Sequence, residues 1–442
     1  MLKSFVNAWR IPELKRRILF TAGLLAVYRL GAHIPVPGVD TKALAEYFQA
    51  AQSTLFGLYD LFVGGAFRRA TIFALGIMPY ISASIILQLF GSVIPYFQKL
   101  QKEGPEGYRK INQYTRYGTV LLAALQSYGV AVFLESIHSP SGMPIVPYPG
   151  WGFRFLTMVT ITAGTVFVMW LGEQITERGI GQGISLIIFV GIIARLPDAI
   201  LTEISQLRVG ARNIFTELVL IGIVLAVTGV VVYVTQGQRR IPVQYAKRVV
   251  GRRMYGGQST HIPLRVNTAG MIPIIFAQAI MFLPSTMASF FQGNEVMERF
   301  AAMFSYDSWI YWVLYGTLIV FFTYFYTAVV VNPVDLADNM KKYGGFIPGV
   351  RPGKRTSDYI DRVLTRITLP GAVYLALIAI LPYFVIRALG IYAGWRSFVG
   401  GAGTIIIVGV ALDTLQQMEA HLLMRHYDGF LKRGRIRGRR RF

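Results

Sequence analysis

Groups that ionise, coordinate or attack are thinly spread along this chain. The five histidines, His33, His138, His261, His421 and His426, lie far apart, without the H-E-x-x-H spacing or cysteine partners that would hold a metal. Cysteine is absent, which removes disulfides and thiolate ligands. The stretch Gly179-Ile180-Gly181-Gln182-Gly183 is rich in glycine, yet no strand pattern precedes it and no lysine follows, so it does not read as a phosphate loop. No G-x-S-x-G or Ser/His/Asp arrangement is present. Glu135, Glu173, Glu217, Asp413 and Glu419 all fall near the ends of apolar stretches, whereas an ion-coupled carrier needs ionisable groups near the midplane. The expectation is therefore a chain with no catalytic site, no metal and no cofactor. Isoleucine does recur at one-turn spacing: Ile81 and Ile85, Ile184 and Ile188, then Ile275, and the run Ile405, Ile406 and Ile407. Most isoleucines in such sequence simply pack or face lipid, but a ring of them closes a wide pore to ions by expelling water.

The charged groups that do cluster are basic. Segment 236–267 holds seven basic residues and no acidic one, among them Arg239, Arg240, Lys247, Arg248, Arg252 and Arg253. Segment 332–366 contains Gly344-Gly345-Phe346-Ile347-Pro348-Gly349-Val350-Arg351-Pro352-Gly353, a Gly/Pro turn with a lone arginine at its tip, followed by Lys354 and Arg355. Such segments orient a membrane protein and attract anionic lipid. Loops of about 30 residues exceed what orientation requires, so a docking surface is also expected.

The elements that carry these residues follow from composition. Only 15% of the 442 residues are charged, and the mean hydropathy is +0.48, against about 25% charged in a soluble protein. A membrane-spanning helix needs about 20 mostly apolar residues. Stretches 18–36, 71–97, 117–136, 155–172, 180–201, 215–235, 268–291, 309–331, 367–388 and 401–424 qualify, the fifth interrupted by Gly181, Gly183, Arg195 and Pro197. No cleavable leader is evident, since the first stretch is long enough to remain as a span. Most of the 44 Lys and Arg fall in the two ends and the even-numbered connections, which puts both termini in the cytoplasm. The fold class expected is an all-α polytopic membrane protein of ten spans.

The second and seventh stretches share a pattern: Gly76-Ile77-Met78-Pro79 with Ile81, and Gly270-Met271-Ile272-Pro273 with Ile275. Each is the second span of a set of five, and an odd number of spans per set inverts the second set relative to the first, as in many membrane transport proteins. Between the first two spans lies Leu58-Tyr59-Asp60-Leu61-Phe62-Val63-Gly64-Gly65-Ala66-Phe67-Arg68-Arg69, apolar enough to leave water but too short to cross. It reads either as a helix on the outer surface or as a segment held at membrane depth by protein around it.

The strings ALGIMPYISASIILQ at 74–88, ERGIGQGIS at 177–185, QSTHIPLRVN at 258–267 and PGVRPG at 348–353 resemble the SecY family of protein-conducting channels, and the likeness runs essentially end to end. The resemblance implies a channel in the bacterial plasma membrane that translocates unfolded polypeptides and releases apolar segments sideways into lipid. A secondary transporter with a five-plus-five repeat is the alternative. It also implies two inverted five-helix halves around a central pore, at 1–205 and 206–424, with a basic cytoplasmic tail at 425–442 that is more arginine-rich than expected for the family. By position, the pore ring is Ile81, Ile85, Ile184, Ile188, Ile275 and Ile406. The plug is Tyr59, Asp60, Leu61, Phe62, Val63, Gly64, Gly65, Ala66, Phe67 and Arg68, and Gln88, Gln126 and Gln278 supply polar contacts at a lateral gate. The implied partners are the small subunits SecE and SecG, the ATPase SecA, a translating ribosome whose RNA phosphates meet the basic loops, and anionic lipids.

Overall fold

The computed structural model describes residues 11–50, 60, 63–140, 142–210, 213–245, 248–250, 253–255, 259–290, 308–389 and 398–433. The first part of the chain forms α1 (Pro12–Gly31), α2 (Thr41–Ala50), α3 (Met78–Val93), α4 (Pro95–Lys102), α5 (Pro105–Ser136), α6 (Trp151–Arg178), α7 (Gly183–Ile193) and α8 (Leu196–Arg208). The second forms α9 (Ile214–Gln236), α10 (Ile272–Phe290), α11 (Trp309–Val330), α12 (Pro333–Lys342), α13 (Lys354–Leu389) and α14 (Gly401–Arg433). Short strands β1 (Gln238–Tyr245), β2 (Arg248–Val250), β3 (Arg253–Tyr255), β4 (Ser259–Arg265) and β5 (Gly345–Phe346) fill the basic segments.

A helix lies on each of the ten apolar stretches. Among the described residues seven are long and apolar enough to cross a bilayer, or eight if α3 and α4, bent by 95° at Ile94-Pro95, count as one broken span. Proline acts here as a helix starter, where its missing N–H costs nothing: Pro79, Pro95, Pro105, Pro197 and Pro333 all stand in first turns. Asn213, Ser308 and Asn332 cap α9, α11 and α12 by accepting a backbone N–H two residues on. The interruption of the fifth stretch is short, and its two helices still count as one span, Gly183–Arg208. Helix α7 ends at Ile193, and α8 restarts at Leu196 with Pro197 in its first turn.

The Gly-x-x-Pro pattern has the same geometry in both places. Gly76 (φ 53°) and Gly270 (φ 62°) take the left-handed conformation. Each then leads into a helix whose second residue is the proline. Left-handed backbone costs most residues roughly 1–2 kcal/mol, so glycine is the natural choice at that turn.

The helices of residues 12–208 pack as α1 on α6, α6 on α5 and α7, and α5 on α3. Those of residues 214–433 pack as α10 on α11, α11 on α13, α13 on α14, and α14 on α9. The two sets meet along two seams, α10 against α3 and α5, and α7 against α14. One large apolar core runs through both. In the second seam Gln417 of α14 accepts the Gly181 N–H at 3.0 Å.

The basic segments are folded together rather than loose. Strand β1 pairs antiparallel with both β4 and β5, in the order β4-β1-β5. Ile241, Val243 and Leu264 of the sheet bury a separate small core with Met340, Ile347, Ile360 and Leu364. At 1.5 Å per residue the 36 residues of α13 span roughly 54 Å, well beyond the ~30 Å of a bilayer core. Its first turns, from Lys354 to Leu364, thus leave room for this small sheet outside the membrane.

Candidate pore and its seal

Isoleucines are the first residues to locate. Ile81 and Ile85 on α3, Ile188 on α7, Ile275 on α10 and Ile406 on α14 are all buried members of the one large core. Ile184 packs against that core and leans toward Gly172 of α6. All four helices that carry them take part in the two seams, so the residues come from both parts of the chain.

The short apolar segment between the first two spans is docked inside the protein. Asp60, Val63, Ala66 and Phe67 are 2%, 1%, 0% and 3% exposed. Tyr59, Leu61 and Phe62 lie outside the described residues. Helix α1 holds the segment by its backbone: Tyr28 Oη donates to the Val63 carbonyl at 3.3 Å and Arg29 Nη1 to the Gly64 carbonyl at 3.1 Å. Gly64 (φ 69°) sits so close to α7 that a Cβ there would lie 2.8 Å from the Gly191 backbone. Phe67 stacks on Phe133 of α5 and meets Phe48 of α2 edge-on. The far end is tied where Val36 N–H donates to the Ala70 carbonyl at 2.8 Å. Between a surface helix and a segment enclosed by protein, the burial selects the second.

A charge cluster that sequence reading missed sits against this segment. The Asp60 carboxylate lies 3.3 Å from Arg195 Nη1 and 4.0 Å from Arg68 Nε, and Arg68 reaches Asp198 at 3.6 Å. Arg195 had been legible only as an interruption of the fifth stretch. Its signal was its isolation: a lone arginine in an apolar segment is expensive and usually has an assigned task.

Of the three glutamines, Gln88 on α3 donates to Ser84 Oγ of its own helix at 3.3 Å. Gln126 on α5 is half-buried. The Oε1 of Gln278 on α10 is buried without a hydrogen-bond partner among the described residues. The helices touch at the α10 seam, yet among the described residues no hydrogen bond joins these three side chains. Ile81 and Ile85 of α3 and Ile274 and Ile275 of α10 are buried in the shared apolar core.

On the small sheet, Arg239 and Arg240 of β1 are exposed, as are Arg351, Lys354 and Arg355 beyond β5. The arginine tip is held by a Val350 N–H to Ile347 carbonyl bond of 3.0 Å, with Ile347 buried beneath it, and by Thr356 Oγ1 donating to the Arg351 carbonyl at 3.0 Å. Arg248 and Arg253 lie on β2 and β3, while Lys247 and Arg252 fall outside the described residues. Much of the basic tail is also outside them. Among the described residues no group of His, Asp or Glu is arranged to hold a metal ion.

Comparison with known proteins bears on this arrangement. A family described as SecY matches residues 71–415. The protein translocase subunit SecY of Escherichia coli (strain K12) is 47% identical over 431 residues, covering 97% of this chain and 96% of that one. The subunit of the same name from Thermus thermophilus is 47% identical over 444 residues and covers both chains fully, 100% of each. Among solved structures, a chain described as a protein conducting channel superposes with TM-score 0.62 at 17% identity, over 92% of both chains. Another, described by the role of the SecY plug domain in stabilising the closed channel and maintaining a membrane seal, gives 0.60 at 18% over the same shares. Sec61 in a canine ribosome–channel complex gives 0.60 at 16%, again over 92% of each.

Proposed function

The chain belongs to the SecY family and is a multi-pass, protein-conducting channel rather than an enzyme, and we propose that translocating polypeptide passes through the core between its two helix sets. The observation that carries this reading is the buried set of isoleucines contributed by α3, α7, α10 and α14, which share one apolar core with Val63, Ala66 and Phe67. Identity of 47% over nearly the whole chain to a protein translocase subunit supports it.

Ten spans in two inverted halves, with both termini cytoplasmic, complete the proposed architecture. The shared Gly/Pro geometry at the starts of α3 and α10 supports the repeat, and the position of the basic residues supports the orientation. Hydrophilic segments of a substrate need a path that holds water, whereas an apolar segment is more stable in lipid. Separation of α10 from α3 and α5 would open such a path sideways. Gln88, Gln126 and Gln278 are the proposed polar groups along that opening. The isoleucine ring seals the idle path by dewetting and fits around a chain in transit.

Energy would enter at the exposed arginines of the small sheet and the Arg351 turn, held away from the bilayer by α13. We assign this surface to SecA and to the ribosome, and SecE and SecG to the small membrane subunits of the complex. A likeness to Sec61 in a ribosome–channel complex supports the ribosome assignment. Reconstitution of the protein with SecE, SecA, ATP and a secretory precursor is the test. ATP-dependent protection of the precursor from added protease is expected; precursor left fully accessible, with assembly verified, overturns the reading.

A further inference from the structure

Helix α7 carries Ile184, Ile188 and Gly191, and Arg195 follows at the α7–α8 break. The spacings of four, three and four residues set all four positions on one face of a helical path. The face therefore presents two isoleucines of the proposed ring, then the glycine on which the plug backbone rests, then the guanidinium that meets Asp60.

We propose that Arg195 is a positioning residue that couples the isoleucine-bearing helix α7 to the plug, so that displacement of the ring by an entering chain loosens the seal below it. This rests on the plug assignment of residues 60 and 63–68. The Asp60 carboxylate is almost wholly buried, with its side chain 3% exposed, and lies 3.3 Å from Arg195 Nη1. Its other oxygen accepts the Arg68 backbone N–H at 3.0 Å, and the Gly65 N–H donates to the Asp60 carbonyl at 3.0 Å. Asp60 thus ties residues 60, 65 and 68 together from within and sets its second oxygen against the guanidinium of Arg195 on another element. The Gly64 contact adds a steric half to the ionic one, because the two backbones approach so closely that a Cβ on Gly64 would lie 2.8 Å from Gly191. A buried carboxylate deprived of a cation is strongly disfavoured. When α7 shifts, Asp60 has one reason fewer to stay where it is. Arg68 moves with the plug and cannot hold it to the wall, except through Asp198, which is well exposed and screened by water.

The chain contains no cysteine, so Val63→Cys gives a single thiol at a position 1% exposed. The rate at which a maleimide labels it, in the full-length protein purified in detergent with its small subunits, reports plug position. Arg195→Gln should raise that rate about tenfold, as should Asp60→Asn, and Arg195→Lys should keep it within about threefold of the parent. The two neutralising changes together should do no more than either alone, since they remove one interaction. Parent-like labelling in Arg195→Gln overturns the coupling, and so does a double variant whose effect is the product of the two single effects. Ion leak through vesicles carrying a deletion of residues 60–67 separates this inference from its premise. A leaky deletion with a tight Arg195→Gln variant overturns the coupling alone, whereas a deletion that does not leak overturns the plug assignment.

Discussion

Ile85 and Ile188 are 4% and 2% exposed, and neither has a polar atom with which to hold water in a constriction. Replacing both by Asn should raise resting ion conductance in planar bilayers by at least about tenfold, because amides stabilise a water column where apolar side chains exclude one. Unchanged conductance in a normally assembled protein would remove these two from the ring. Arg351 presents the opposite chemistry, an exposed guanidinium on a fixed turn, suited to carboxylate or phosphate. Arg351→Glu should abolish SecA-driven translocation while leaving the protein inserted, and normal transport at limiting SecA would reduce the turn to a topology signal. Single residues were legible in proportion to how far they departed from their surroundings. Isoleucines at one-turn spacing and an arginine among glycines and prolines were visible. The pairing of Arg195 with Asp60 was not, because 135 positions separate them in the chain and only the fold brings them to 3.3 Å.

Elements are where sequence reading succeeded most and also where it missed a structure. A helix lies on each of the ten apolar stretches, and seven or eight of the described helices are long and apolar enough to cross a bilayer, where a helix satisfies its own backbone. The basic segments read as loops, since charge hid the alternation of Arg240-Ile241-Pro242-Val243-Gln244, in which only Ile241 and Val243 face inward. Pairing of β1 with β5, some hundred residues apart, is a long-range event that no local pattern announces. The small core beneath should matter to that sheet alone. Ile360 is 0% exposed within it, and Ile360→Ala should cost the sheet about 2–5 kcal/mol. Faster hydrogen exchange of β1 amides with unchanged exchange in α5 and α6 is the expected result, and uniform protection would mean the sheet is held by other contacts. The proposed plug is an element of a different kind, retained among the described residues by a few backbone bonds, the ion pairs Asp60–Arg195 and Arg68–Asp198, and its apolar side chains. Deleting residues 60–67 should leave a leaky channel that still translocates, whereas complete loss of translocation in an assembled complex would make the segment a permanent part of the wall.

Across the whole molecule, two sets of helices share one apolar core and touch along two seams of different character. The α7–α14 seam is pinned by a hydrogen bond from a loop amide to Gln417. Among the described residues the seam of α10 with α3 and α5 has no such bond among the three glutamines beside it, and the Gln278 Oε1 is buried without a partner. Two helix sets pinned along one seam would open at the other, which is the side the proposed channel would offer to an apolar segment of a substrate. The central claim, that polypeptide passes through the core between the sets, has a direct measurement. A photo-crosslinking residue at position 188, 406 or 218 would be challenged with a precursor stalled in mid-translocation. Positions 188 and 406 are buried in the shared core, while Leu218 on α9 is 63% exposed on the outer face. Adducts to the stalled chain from 188 and 406 but not from 218 are the predicted result; adducts from 218, with 188 and 406 silent, would contradict it.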